Sequence, residues 1–281
     1  MRGKFAGNKI VLFLLITVVL SAWPYVEMIR TGETGGIPVL LLMWSPGVAA
    51  MLAQWIKTRS LAGLGWRLGN WRYLLVSYLL PLVACIVVYG LSWGVGLIPF
   101  SGAGLVEIVS VETGFDVSLP AAVLLTVVVI FPFSLFSAAG EEIGWRGLLL
   151  PELATHYSFT TAALVSGIIW AIYHYPLILF SDYHSDAPLW YALLMFTLAV
   201  VGVSFVFAWL RLKSGSVWTA AVLHASHNLF VQNVFDPLAL DFGLTPYLTT
   251  EFGAGLAVAY VLMAFYFWRR RGEVADQRNS V

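Results

Sequence analysis

Residues 119–147 read LPAAVLLTVVVIFPFSLFSAAGEEIGWRG. From Leu119 to Gly140 there is no charged side chain, a stretch longer than the ~20 residues a helix needs to cross the hydrocarbon layer. It ends abruptly on two adjacent carboxylates, Glu141 and Glu142, with Arg146 one helical turn further on. An apolar span that runs into paired charges predicts a membrane helix carrying polar chemistry at one end.

Working outward, seven more apolar runs flank this one, giving 9–27, 37–56, 72–98, 119–140, 158–181, 187–210, 215–235 and 252–268. The fourth is expected to continue as helix through Glu141 to Leu150. The chain has 281 residues, 60% hydrophobic and 11% charged, with mean hydropathy +0.85. Soluble domains carry about 25% charged residues, so the bilayer is the solvent this composition requires. No segment between the runs is long enough for a separate soluble domain. The expectation is an all-α, polytopic membrane protein of about eight transmembrane helices, with residues 1–281 as one membrane domain. The mixed polar and aromatic segment 57–71 is expected on the membrane surface. The first run reads as a retained helix, because Ser21-Ala22-Trp23-Pro24 is a poor signal-peptide cleavage site.

Orientation follows from lysine and arginine. With the N-terminus cytoplasmic, the inner stretches hold Arg2, Lys4, Lys9, Lys57, Arg59, Arg67, Arg72, Arg146, Arg211, Lys213, Arg269, Arg270, Arg271 and Arg278, and only Arg30 of the 15 basic residues falls outside. The outer loops carry Glu27, Glu33, Glu107, Glu112, Asp116, Asp182, Asp186, Asp236, Asp241 and Glu251. Both termini are therefore expected in the cytoplasm, and the short loops suit a prokaryotic plasma membrane. The single cysteine, Cys85, excludes an intrachain disulfide and reads as a buried apolar residue. No basic stripe with interleaved aromatics suggests nucleic acid. Gly90-Leu91-Ser92-Trp93-Gly94 is a small-xxx-small pattern that would let two helices approach.

Three polar clusters stand out against this apolar background. In the first, Glu142 and Arg146 are four apart and share a helix face, while Glu141 points about 100° away and lacks that partner. One carboxylate is then held by a guanidinium and the other is available as a general base. In the second, Trp170-Ala171-Ile172-Tyr173-His174-Tyr175-Pro176, Trp170 lies one turn before His174 on the same face and Pro176 is expected to kink the helix. In the third, His224-Ala225-Ser226-His227-Asn228, His224 and Asn228 share a face with His227 beside it. Uncompensated polar groups in lipid cost several kcal/mol each, so the clusters should face one another. Such a set can activate water and stabilise an oxyanion, or offer ligands to a divalent metal such as zinc; periodicity does not separate the two uses. No His-Glu-x-x-His, Gly-x-Ser-Gly or Gly-x-Gly-Asp signature accompanies them.

In order and internal spacing, Glu141-Glu142 to Arg146, Trp170 to His174 and His224 to Asn228 resemble the CPBP (Abi) family, that of type II CAAX prenyl proteases and related bacterial membrane proteins. The resemblance covers about residues 120–235. It implies an eight-helix fold with a conical cavity open to the cytoplasmic leaflet, and an intramembrane endopeptidase acting on a membrane-associated or lipidated protein or peptide among membrane lipids. It further implies that Glu141 and His174 activate the water, that His224 and Asn228 bind the oxyanion, and that Glu142 and Arg146 hold the site in shape. The family is commonly labelled a metalloprotease family, with a glutamate-driven, metal-free mechanism as the alternative; under the first label Glu141, His174 and His224 are the candidate metal ligands and zinc the candidate ion. Trp170 stands where phenylalanine is frequent, and His227 is extra to the pattern and reads as a packing or supporting residue. Two other readings compete: a non-catalytic scaffold or regulator on the same fold, and a proton relay or transporter using the buried carboxylates.

Overall fold

The computed structural model describes residues 2–240 and 242–275. Of the charges used for orientation, Asp241 and Arg278 lie outside the described residues, as do the side chains of Arg2 and Lys4. The eight apolar runs all become helix. They are α1 (Arg2–Thr31), α2 (Gly36–Thr58), α3 (Trp71–Gly94), α5 (Leu119–Glu142), α7 (Phe159–Phe180), α8 (Leu189–Ser214), α9 (Val217–His227) with a π-helical continuation over Asn228–Phe235, and α11 (Ala254–Arg269). Between them lie short helices α4 (Ala103–Thr113), α6 (Leu150–His156), α10 (Thr245–Leu248) and α12 (Gly272–Ala275). Among the described residues six helices are long and apolar enough to cross a membrane, and α11 is a shorter apolar one. This is an integral, multi-pass membrane protein.

Local chemistry sets the helix starts. Asn70 accepts the Arg72 amide at 3.0 Å, Ser158 the Thr161 amide at 3.1 Å and Ser216 the Trp218 amide at 3.2 Å, each satisfying an amide that lacks an intrahelical partner. Helix α7 runs unbroken through Pro176. The 57–71 segment contains no helix of its own; it turns back on the bundle and inserts Leu64, which is buried, into the core.

A close helix crossing lies between α2 and the end of α5. A Cβ on Gly47 would lie 2.4 Å from the Gly140 carbonyl oxygen, one on Gly140 would lie 2.7 Å from that of Met43, and one on Gly144 would lie 2.4 Å from Pro46 Cβ. Backbone therefore meets backbone there. Gly90 and Gly94, whose spacing had suggested this role, face open space. Beyond the crossing, toward the start of α2, a cavity lies between the helices, lined by Val39, Leu42 and Met43 of α2 and Ile130, Phe133, Ser134 and Ser137 of α5.

Contacts sort the molecule into two ends. At one, Lys9 meets Glu152, the Val217 amide donates to Gly65 at 2.9 Å, and Lys213 lies 3.5 Å from Glu273. At the other, Thr34 is hydrogen-bonded to Asp182 at 2.6 Å, the Ser101 amide donates to the Leu238 carbonyl at 2.9 Å, and Tyr191 donates to the Tyr247 carbonyl at 2.6 Å. The first end gathers the basic segments and the second the acidic loops.

Candidate active site

The carboxylate pair sits where α5 ends and a π-helical segment, Ile143–Leu149, begins. A π turn inserts an extra residue into the helical repeat and is frequent at functional sites. Every residue from Ala138 to Leu150 is buried. Glu142 and Arg146 are fully so, paired through Arg146 Nη1 and Glu142 Oε1 at 2.9 Å. The guanidinium is sandwiched between the rings of Trp170 and Phe207, at 4.1 and 3.9 Å from their centroids, and Nη2 donates to Ser204 Oγ at 3.2 Å. Its Nε and the Oε2 of Glu142 have no hydrogen-bond partner among the described residues. Such a buried pair costs heavily in desolvation, and removing either member would leave an uncompensated charge.

Glu141 points away from this pair. Its Oε2 accepts from two indoles, Trp145 Nε1 at 3.0 Å and Trp170 Nε1 at 2.6 Å. Oε1 accepts no hydrogen bond among the described residues and lines the cavity. Trp170 is the hub: it also lies 5.8 Å from the His174 ring and 5.4 Å from the His224 ring, centroid to centroid. The aromatic wall read from sequence therefore does more than fill space, since its N–H fixes the carboxylate. Trp145 was not foreseen, although the signal was present: it lies four residues after Glu141, on the same helix face.

Hydrogen bonds assign the ring nitrogens. His174 Nδ1 faces the Trp170 carbonyl at 2.9 Å, which can only accept, so Nδ1 donates and Nε2 carries the lone pair. His224 Nδ1 lies 2.9 Å from Glu142 Oε1 and donates to it in the same way. The ion pair behind the site thus orients His224, with Nε2 left toward the cavity. The Asn228 side chain makes no hydrogen bond among the described residues. Its backbone carbonyl, at the start of the second π segment, accepts from Asn233 Nδ2 at 2.9 Å.

Glu141, Trp170, His174, His224, His227 and Asn228 all line one cavity of about 640 Å³, while Glu142 and Arg146 lie behind its wall. His227 Nδ1 is 2.6 Å from the Tyr260 hydroxyl and Nε2 is 3.4 Å from Glu251, tying α9 to α11 and the loop before it. Among the described residues no group of three His, Cys, Asp or Glu side chains is arranged to hold a metal ion.

A second polar wall went unread in the sequence. Glu251, buried, accepts from Gln232 Nε2 at 3.0 Å. Burial alone would raise its carboxyl, but hydrogen bonds from His227 and Tyr183, with His174 nearby, hold it below the ordinary range. Burial pushes the neighbouring Asp236 carboxyl up to about 7, against a hydrogen bond from Tyr89. Nothing in local spacing marks Glu251, which reaches the cavity only because the loop before α11 folds over it.

The cavity reaches the acidic end. Thr34, Asp182, His184, Ser185 and Glu251 line it there, while buried residues 138–150 close the basic end. The resemblance had implied an opening to the cytoplasmic leaflet; if the basic end is cytoplasmic, this mouth lies on the other side.

With this geometry in hand, residues 122–230 match the model of the Rce1-like type II CAAX prenyl endopeptidases. The matched segment is similar to this family. It contains Glu141, His174, His224 and Asn228 together. A curated relative, CAAX prenyl protease 2 of Methanococcus maripaludis, is 32% identical over 100 residues, which is 34% of this chain. The match spans 36% of that relative's length, so the likeness lies in the site-bearing helices.

Proposed function

We propose that this protein is an intramembrane endopeptidase that hydrolyses a peptide bond with water activated by Glu141 and His174. One observation carries the reading: two indole N–H groups hold one oxygen of Glu141, leaving the other free in the cavity with the lone pair of His174 Nε2. A fixed carboxylate with one open oxygen suits a general base. In the proposed step Glu141 Oε1 takes a proton from water as the water oxygen bonds to the carbonyl carbon. The resulting oxyanion accepts hydrogen bonds from the Asn228 amide and from His224 Nε2–H when that ring carries both protons. Collapse breaks the C–N bond, and the proton passes to the leaving amine.

No step is routed through a metal, because no three His, Cys, Asp or Glu side chains among the described residues are arranged to hold one. The cavity is large enough for a peptide segment, and the splay of α2 and α5 at the lipid-facing Phe133 gives an apolar flank suited to a membrane-embedded or lipidated substrate. The purified protein and its Glu141→Gln variant, assayed in proteoliposomes on prenylated and unprenylated reporter peptides, test the reading. Loss of a general base costs about 10²–10⁴-fold in rate, and a drop of that size is expected with an unchanged melting curve. Equal cleavage by both proteins would remove Glu141 from the mechanism.

A further inference from the structure

Polar groups without partners gather along one path in the cavity. On α5, Ser134, Ser137 and Glu141 are three and four residues apart, share a face and line the cavity. Both serines lie inside the charge-free span 119–140. Elsewhere in the bundle a helical serine donates its hydroxyl to the carbonyl four residues back, as Ser77, Ser92 and Ser204 do at 2.7 Å. Ser134 and Ser137 make no hydrogen bond among the described residues. On the π-helical continuation of α9, residues four and five apart fall on one side, and Asn228, Gln232 and Asn233 line the same cavity. Gln232 Nε2 donates to Glu251 at 3.0 Å and Asn233 Nδ2 to the Asn228 carbonyl at 2.9 Å. With these nitrogens fixed, both side-chain amide oxygens are acceptors that meet no donor among the described residues. The path on α5 ends at Glu141, 3% exposed, whose Oε1 accepts no hydrogen bond there either.

We infer that Ser134, Ser137, Gln232 and Asn233 form a subsite for an extended peptide backbone leading to Glu141. An extended segment carries amide N–H and carbonyl groups with no partners of their own, and within a bilayer those groups must be met by the wall. The serine hydroxyls supply donors for carbonyl oxygens, and the oxygens of Gln232 and Asn233 accept from N–H groups. A hydrocarbon chain in the same place would leave all four side chains unmet. From Ser134 to Glu141 the helix rises about 10 Å, which is the length of about three extended residues. The subsite therefore holds the backbone of about three residues on one side of the bond to be cut, and it selects for an unfolded segment rather than for particular side chains. The identification of the occupant as a peptide rests on the proteolytic reading above; the row of unmet polar groups does not.

Backbone replacement tests the subsite through binding rather than cleavage. A fluorescent pentapeptide of leucine and alanine, blocked at both ends, is titrated into purified Glu141→Gln protein in detergent. A matched set carries one ester in place of each amide in turn, which deletes an N–H and weakens a carbonyl acceptor without changing a side chain. At two or more positions the ester should weaken binding about fivefold, as expected for one hydrogen bond. Adding Ser134→Ala and Ser137→Ala should weaken binding of the all-amide peptide about tenfold with an unchanged melting curve, and the ester penalty should disappear in that background at one position at least. Undiminished binding by the alanine variant overturns the subsite, as do ester penalties that all survive the alanine changes, esters that all bind like the amide form, or no binding of the all-amide peptide. Cleavage of the same peptide by protein with Glu141 intact is read separately. Its absence, with the binding pattern as expected, counts against the proteolytic reading and leaves the subsite standing.

Discussion

The two glutamates that stand side by side in the sequence live in opposite surroundings. Glu142 belongs to the sealed basic end: fully buried, paired with Arg146 and His224, with no access to the cavity. Glu141 belongs to the open end: braced by indoles on one oxygen and unpartnered on the other. One buried carboxylate is locked in an ion pair and the next presents an unpartnered oxygen, because a 100° step along the helix crosses from a dry wall into the cavity. The same division separates the tight glycine crossing of α2 with α5 from the splayed region where the cavity begins.

The most severe test of this division is Arg146→Met, which strands Glu142 in the dry wall. The expected loss is about 3–5 kcal/mol, visible as a collapsed melting temperature in detergent. A variant that melts like wild type would show that the pair is not structural. Next, Gly140→Val at the closed crossing should cost about 1–3 kcal/mol, since its side chain would meet the backbone of Met43 and Trp44; the same change at Gly90 should cost far less, and equal losses would break the contrast. At the open side, Trp170→Phe keeps the wall but removes one donor to Glu141. A hydrogen bond to a charged group is worth about 1.5–3 kcal/mol, so kcat should fall about tenfold or more with a shifted pH profile and little change in KM. An unchanged pH profile would mean that the indole only fills space.

A pH-dependent effect is expected at Asp236, on the cavity wall. With the Asp236 carboxyl raised from 3.8 to about 7, the folded state binds its proton more tightly than the unfolded chain. Stability from this group is present at low pH and is lost as pH rises through about 4 to 7. Asp236→Asn should therefore gain on wild type between about pH 4.5 and pH 8, read as the difference in melting temperature. A constant difference would show that the carboxyl titrates normally.

Much of this molecule is written locally. Uncharged runs such as 119–140 specify helices in a bilayer because every backbone polar group there must be satisfied within the segment. The i, i+4 spacings of Glu142 with Arg146 and of His224 with Asn228 place each pair on one face regardless of what packs against it. Composition and spacing alone thus determined an all-α membrane protein and pointed to the polar residues Glu141, His174, His224 and Asn228 that line its cavity. Only the tertiary structure decided that Trp145 and Trp170 share one oxygen of Glu141, that Glu142 reaches His224 on a distant helix, that Glu251 joins the cavity wall, and that Gly47 and Gly140, rather than Gly90 and Gly94, bring helices together. These depend on how separate helices cross and which end of the bundle stays open. A helix carries no record of its neighbour in its own periodicity; that relation exists only once the side chains interlock.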